Sequence, residues 1–211
     1  MEPGNNDPPA ALPGTPCPFL RSAINPQSES QTGVPAMTLG RASLRDLYVH
    51  GHTQSGSRLF GVVLMGVGVM SNGLGRKGLW RNVASASFDS AALTGGPLDK
   101  PRADTKILQG RGSGVFCADY FDKMLAEFGA DFTPTTGEPS ERGLDLTGIH
   151  TMVRTNRQQD DGNALTTLAA YGEFIPLLWI YGAPSREGPR YLSERALLSL
   201  FRDMRFPARR P

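Results

Sequence analysis

Seventeen prolines and twenty-five glycines are spread along 211 residues, and this constrains the fold more than any other feature. Proline lacks the backbone donor that a sheet interior needs, and glycine interrupts both helices and strands. A long regular sheet fits poorly with that distribution. Helices of moderate length joined by irregular connections fit well, so the expected class is mostly α. The chain is 39% hydrophobic and 20% charged, enough apolar surface for a packed core. Its length suits one domain, read as 16–211 behind a Pro-, Gly- and Asn-rich arm over 1–15.

Charge excludes some partners. A formal net charge of +2 and a pI near 8.7 fall short of the dense basic stripe that nucleic acid requires. Arg205, Arg209 and Arg210 make only a locally basic, solvated tail. The longest apolar run, Leu59 to Met70, is too short for a bilayer core of ~30 Å, which needs ~20 residues. It predicts a buried helix, and its glycines permit close approach of a neighbour or a flat cofactor. The first seven residues, Met1 to Asp7, have neither a positive nor an apolar region, so no secretory signal is expected. The chain then reads as intracellular, or as the mature form of a secreted protein.

The pattern predicts further helices. Cys17 to Asn25 forms a short helix with Pro18 in its first turn, where proline is tolerated. A polar loop spans 26–35, and 38–50 restarts as helix with Ser43 to Asp46 able to cap a turn. Residues 71–114 have no strong period and read as a long functional loop or lid. Apolar positions 118, 121, 124, 125 and 128 have helical spacing. Residues 144–161 form a polar helix entered through Asp145 or Thr147. Residues 164–181 form an apolar helix with a kink at Pro176. Residues 191–204 close the chain, with Ser193 as N-cap and Glu194 in the first turn. Two cysteines do not make a disulfide framework, although a Cys17–Cys117 bridge stays open.

Pro16-Cys17-Pro18 carries the first chemical signal. A thiolate ligand must be deprotonated and held at fixed distance, and a helix start favours the anion. The same tripeptide also suits an ordinary buried cysteine. The stretch resembles the fungal haem-thiolate peroxidases of the chloroperoxidase and unspecific peroxygenase type (heme peroxidase family 2). Their proximal segment reads Pro-Cys-Pro-x-Leu-Asn-x-Leu-Ala-Asn-His-Gly. Pro16-Cys17-Pro18, Asn25, Gly33 and Met37-Thr38-Leu39 fall at similar spacing, with Arg21 in place of Asn and Pro26 in place of His. Leu144-Asp145-Leu146, Ala169 to Phe174, and Arg205-Phe206-Pro207 are similar to the family's C-terminal third.

That resemblance implies a single helical haem-thiolate peroxidase-like domain with long irregular loops. It implies haem b, with Cys17 as the axial iron ligand flanked by Pro16 and Pro18. It further implies hydrogen peroxide as oxidant and a small organic molecule as the substrate to be oxidised, oxygenated or halogenated. The family's Glu-His-Asp-x-Ser segment has no counterpart near Gln109 to Ser113, where only Ser113 matches. Magnesium beside a haem propionate is therefore expected to be lost.

The distal acid–base is expected on the polar helix. His150, Arg154, Arg157 and Asp161 are spaced by four, three and four residues, within about 60° of arc at ~100° per residue. His150 would shuttle the peroxide proton, with Arg154 stabilising charge and Asp161 or Arg111 as substitutes. A solvated polar face explains the same stripe. Glu173, inside an apolar helix, needs a partner if buried, which points to capping the Cys17 region or holding a loop. His50 and His52 read as a surface pair with no third metal ligand nearby. Gly110 to Gly114 lacks the Gly-Lys-Ser/Thr ending of a phosphate loop. Two rival readings remain: a small-molecule binding protein or redox-neutral enzyme on the same fold, and a helical interaction protein with a structural Cys17.

Overall fold

The structure, a computed structural model, describes residues 17–37, 43–73, 108–109, 115–159 and 164–208. Among them are eight helices and six short strands. Four helices come first: α1 (Pro18–Ile24), α2 (Ser28–Thr32), α3 (Leu44–Ser55) and α4 (Arg58–Gly73). The short strands β1 (Leu108–Gln109) and β2 (Val115–Phe116) then pair antiparallel. The rest runs α5 (Ala118–Phe128), β3 (Ala130–Phe132), β4 (Glu141–Asp145), α6 (Leu146–Gln159), α7 (Ala164–Tyr181), β5 (Ala183–Pro184), β6 (Arg190–Ser193) and α8 (Glu194–Phe201). The mostly helical expectation holds, with one addition: a four-stranded antiparallel sheet in the order β3-β4-β6-β5.

That sheet corrects two predicted helices. Leu144 and Asp145 belong to β4, and Tyr191 to Ser193 belong to β6. They face each other across the ladder, with Leu144 opposite Leu192 and Asp145 opposite Tyr191. Leu144, Tyr191 and Leu192 are fully buried. In such short runs, pairing and burial outweigh helical periodicity. Both helices then start where the sheet releases the chain. The Asp145 carboxylate accepts from the Gly148 N–H at 2.8 Å, and the Ser193 hydroxyl oxygen accepts from the Ala196 N–H at 3.2 Å. These are N-cap interactions, which satisfy donors that a helix start leaves unpaired.

Other expectations are met or corrected locally. Ser43 and Asp46 form a capping box at the start of α3; of the helix expected over 38–50, residues 38–42 lie outside the described residues, and α3 runs on to Ser55. The loop over 26–35 contains α2, which ends on Gly33 at φ 66°, a left-handed conformation open to glycine. The described side chains of α4, residues 58–66, are only partly buried. Leu64 packs inside, while Leu59, at 73% exposure, and Val62 and Val63 face outward. Gly61 of α4 and Gly51 of α3 allow the two helices to approach closely. A Cβ on Gly61 would lie 2.8 Å from the Tyr48 carbonyl oxygen, and one on Gly51 would lie 2.6 Å from the Leu64 side chain. The antiparallel pair α3–α4 is therefore held at a distance that larger residues would forbid. No helix among the described residues is long and apolar enough to cross a membrane.

The core gathers Phe19 and Leu20 of α1, Leu47 of α3, Phe121 of α5, Ile149 of α6 and Phe174 of α7. All seven residues of α1 are buried. The final segment folds back over this helix. Asn25 Nδ2 donates to the Met204 carbonyl at 2.8 Å, and Phe206 packs on Phe19 at 5.2 Å between ring centroids. Gln31 brackets the Phe206 backbone, accepting from its N–H and donating to its carbonyl. The C-terminal end of the described chain thus packs against the helix that Cys17 caps.

Candidate functional site

Cys17 is the N-cap of α1, with Pro18 at the first helical position. It is buried, and its carbonyl accepts from the Arg21 N–H at 3.0 Å. Pro18 has no N–H to satisfy, and its fixed φ suits a first turn. Pro16 lies outside the described residues. The two cysteines form no disulfide, and Cys117 sits at the N-cap of α5, half-buried.

One turn beyond Cys17 stands Arg21, whose side chain is 3% exposed. Its Nε and Nη1 are buried without a hydrogen-bond partner. Burial lowers its pKa to about 10, and the charge of Cys17 acts in the opposite direction. The guanidinium therefore keeps its proton at neutral pH. A buried cation with unmet donors needs an anion, and Cys17 is the one negative group among the described residues that bears on it. A soft sulfur donor beside an orphaned buried cation fits an anionic thiolate and an anionic bound group. The composition did not reveal Arg21 as functional. Its signal was an arginine within the apolar run Phe19 to Ile24, four residues after the cysteine.

The distal candidates separate. His150 and Arg154 stand on the exposed side of α6, while Ile149, Met152 and Val153 turn into the core. Arg157 lies on the same helix; Asp161 and Arg111 fall outside the described residues, as does Ser113. His150 Nδ1 lies 2.6 Å from the Tyr171 hydroxyl of α7, and the two rings stack at 6.0 Å. Tyr171 was not recognisable from sequence as a partner, because 21 positions separate it from His150. Most of the 71–114 loop, including Gly110 to Gly114, is outside the described residues, and so is the Glu173 side chain.

The predicted surface pair His50 and His52 is corrected. His50 is fully buried; its Nε2–H donates to the Pro35 carbonyl at 3.0 Å, and Nδ1 is left without a partner. His52 is half-buried and stacks on Tyr48. His50 faces inward from the middle of α3, against the Pro35 carbonyl and the Phe206 ring, 6.5 Å away between centroids. Burial lowers the His50 pKa, opposed by the hydrogen bond to Pro35 and by Asp46. Among the described residues, no cluster of three or more His, Cys, Asp or Glu side chains is placed to hold a metal ion.

No protein-family model, curated protein or solved structure matches the chain. The likeness to haem-thiolate peroxidases rests on the short segments around Cys17 and in the C-terminal third.

Proposed function

We propose that this chain is a haem-thiolate oxidoreductase in which Cys17 ligates the iron of haem b and hydrogen peroxide oxidises a small organic molecule. The observation that carries the reading is the setting of Cys17: buried, at the N-cap of a helix, and one turn from the buried cation of Arg21, whose Nε and Nη1 have no hydrogen-bond partner among the described residues. Haem held by a thiolate supplies peroxide chemistry in which electron donation from sulfur favours O–O cleavage. The chain's own residues hold and orient. Cys17 presents the sulfur, Pro18 stiffens its turn, and Arg21 supports negative charge beside it. His150 is the candidate to take a proton from peroxide and return it, with Arg154, Asp161 or Arg111 as supporting or substitute groups. Magnesium has no role in this proposal.

The exposure of His150 and Arg154 favours a second reading, in which the same fold binds a small molecule without peroxide chemistry.

Haem titration of the full chain and its two cysteine variants tests the proposal. The wild-type and Cys117→Ala proteins should give the red-shifted Soret band of a reduced thiolate–haem carbonyl complex, and Cys17→Ala should not. An unchanged thiolate spectrum in Cys17→Ala would remove Cys17 from the role. No haem spectrum in any of the three would favour the second reading.

A further inference from the structure

We infer that Arg21 is the seat of a carboxylate carried by the group bound beside Cys17. Under the proposal above that carboxylate is a haem propionate, and the inference rests on that reading. The argument begins with charge. Arg21 is 3% exposed, in a helix whose seven residues are all buried. Its Nε and Nη1 meet no acceptor. Among the described residues, the neighbouring helices offer no compensation. On α2, Glu29 is exposed; on α8, Glu194 is paired with Arg142 at 3.1 Å; and beyond α8, Asp203 is paired with Arg202 at 2.7 Å.

Among the described residues Cys17 is then the one neighbour whose charge offsets Arg21, and it does not satisfy the two orphaned nitrogens. A sulfur that gives its electrons to a metal is also a weaker partner for a cation. A guanidinium has five N–H donors and no acceptor. A carboxylate matches it in charge and planarity, and such charge-assisted hydrogen bonds are among the strongest available to a protein. A buried water would satisfy a donor but add no charge to that of Cys17. The chemistry therefore selects a ligand carboxylate over a neutral group.

The test compares haem with its dimethyl ester, which has the same ring and iron but no free carboxylate. Affinity for each is read from absorbance titrations of the full chain, in wild type, Arg21→Gln and Arg21→Lys. Wild type should bind haem ~10- to 100-fold more tightly than the diester, the usual worth of a hydrogen bond to a charged group. Arg21→Gln should lose that preference by weakening haem alone, and Arg21→Lys should keep part of it. The wild-type comparison decides the matter even where Arg21→Gln does not fold. Equal wild-type affinity for the two forms, with a thiolate spectrum in both, would overturn the inference and leave the haem proposal standing. The absence of a thiolate spectrum with either form would overturn the haem proposal and the propionate assignment with it.

Discussion

The Tyr171 hydroxyl lies 2.6 Å from His150 Nδ1 and ties α6 to α7 at their exposed edge. With Nδ1 unprotonated, tyrosine donates and Nε2 carries the ring proton; with Nδ1 protonated, the ring donates to the tyrosine oxygen. The bond fixes the ring orientation and turns Nε2 away from tyrosine. If His150 is the proton shuttle, His150→Ala should slow peroxide activation by ~10²- to 10⁴-fold with haem binding intact. Tyr171→Phe should produce a smaller loss in the same direction. Stopped-flow mixing of the haem-loaded chain with peroxide measures both. Near-wild-type rates in His150→Ala would move the role to Asp161 or Arg111.

His50 predicts how stability responds to acid. Its burial favours the neutral ring, so its pKa in the folded chain lies below the ordinary value of 6.5. Above 6.5 both folded and unfolded chains hold it neutral, and its contribution is fully present. As pH falls below 6.5, the unfolded chain takes up the proton first, so stability declines toward the lowered folded pKa. Denaturant unfolding across this range should show that decline. His50→Gln, which keeps a donor for Pro35, should flatten it. An identical slope in the variant would exclude His50 as its source.

Two glycines of α4 should respond oppositely to alanine. Gly61→Ala places a methyl group 2.8 Å from the Tyr48 carbonyl oxygen, an overpacking expected to cost about 1–3 kcal/mol. Gly66 has nothing within 4 Å of its would-be Cβ. Gly66→Ala should therefore stabilise the chain by up to about 1 kcal/mol through helix propensity. Thermal unfolding of the two variants should move in opposite directions, and a shared direction would mean that the α3–α4 contact is set elsewhere.

Under the proposed function, metal content would distinguish this chain from the haem-thiolate peroxidases. With no Glu-His-Asp segment, haem-loaded protein after gel filtration should carry iron and no stoichiometric magnesium. Elemental analysis measures both. One firmly held magnesium per chain would place a site among residues that the sequence reading passed over.

Local chemistry in the sequence determined the elements whose signals are short-range. Pro18 after Cys17, the Ser43–Asp46 box, Ser193 before Glu194 and the apolar spacing of 118–128 each act within one or two helical turns. All four appear in the structure. The tertiary structure decided what depends on distant partners. Leu144 and Leu192 became strand residues because each found the other across a ladder, although 48 positions separate them in sequence. His50 became a core residue because Pro35 and Phe206, 15 and 156 positions away, meet it. Arg21 and Tyr171 acquired their significance in the same way. An arginine is costly in the interior only when no anion comes near, and a tyrosine orients a histidine only when two helices bring them together. Helix periodicity and capping are encoded by neighbours in sequence, whereas burial and pairing depend on which distant segments meet.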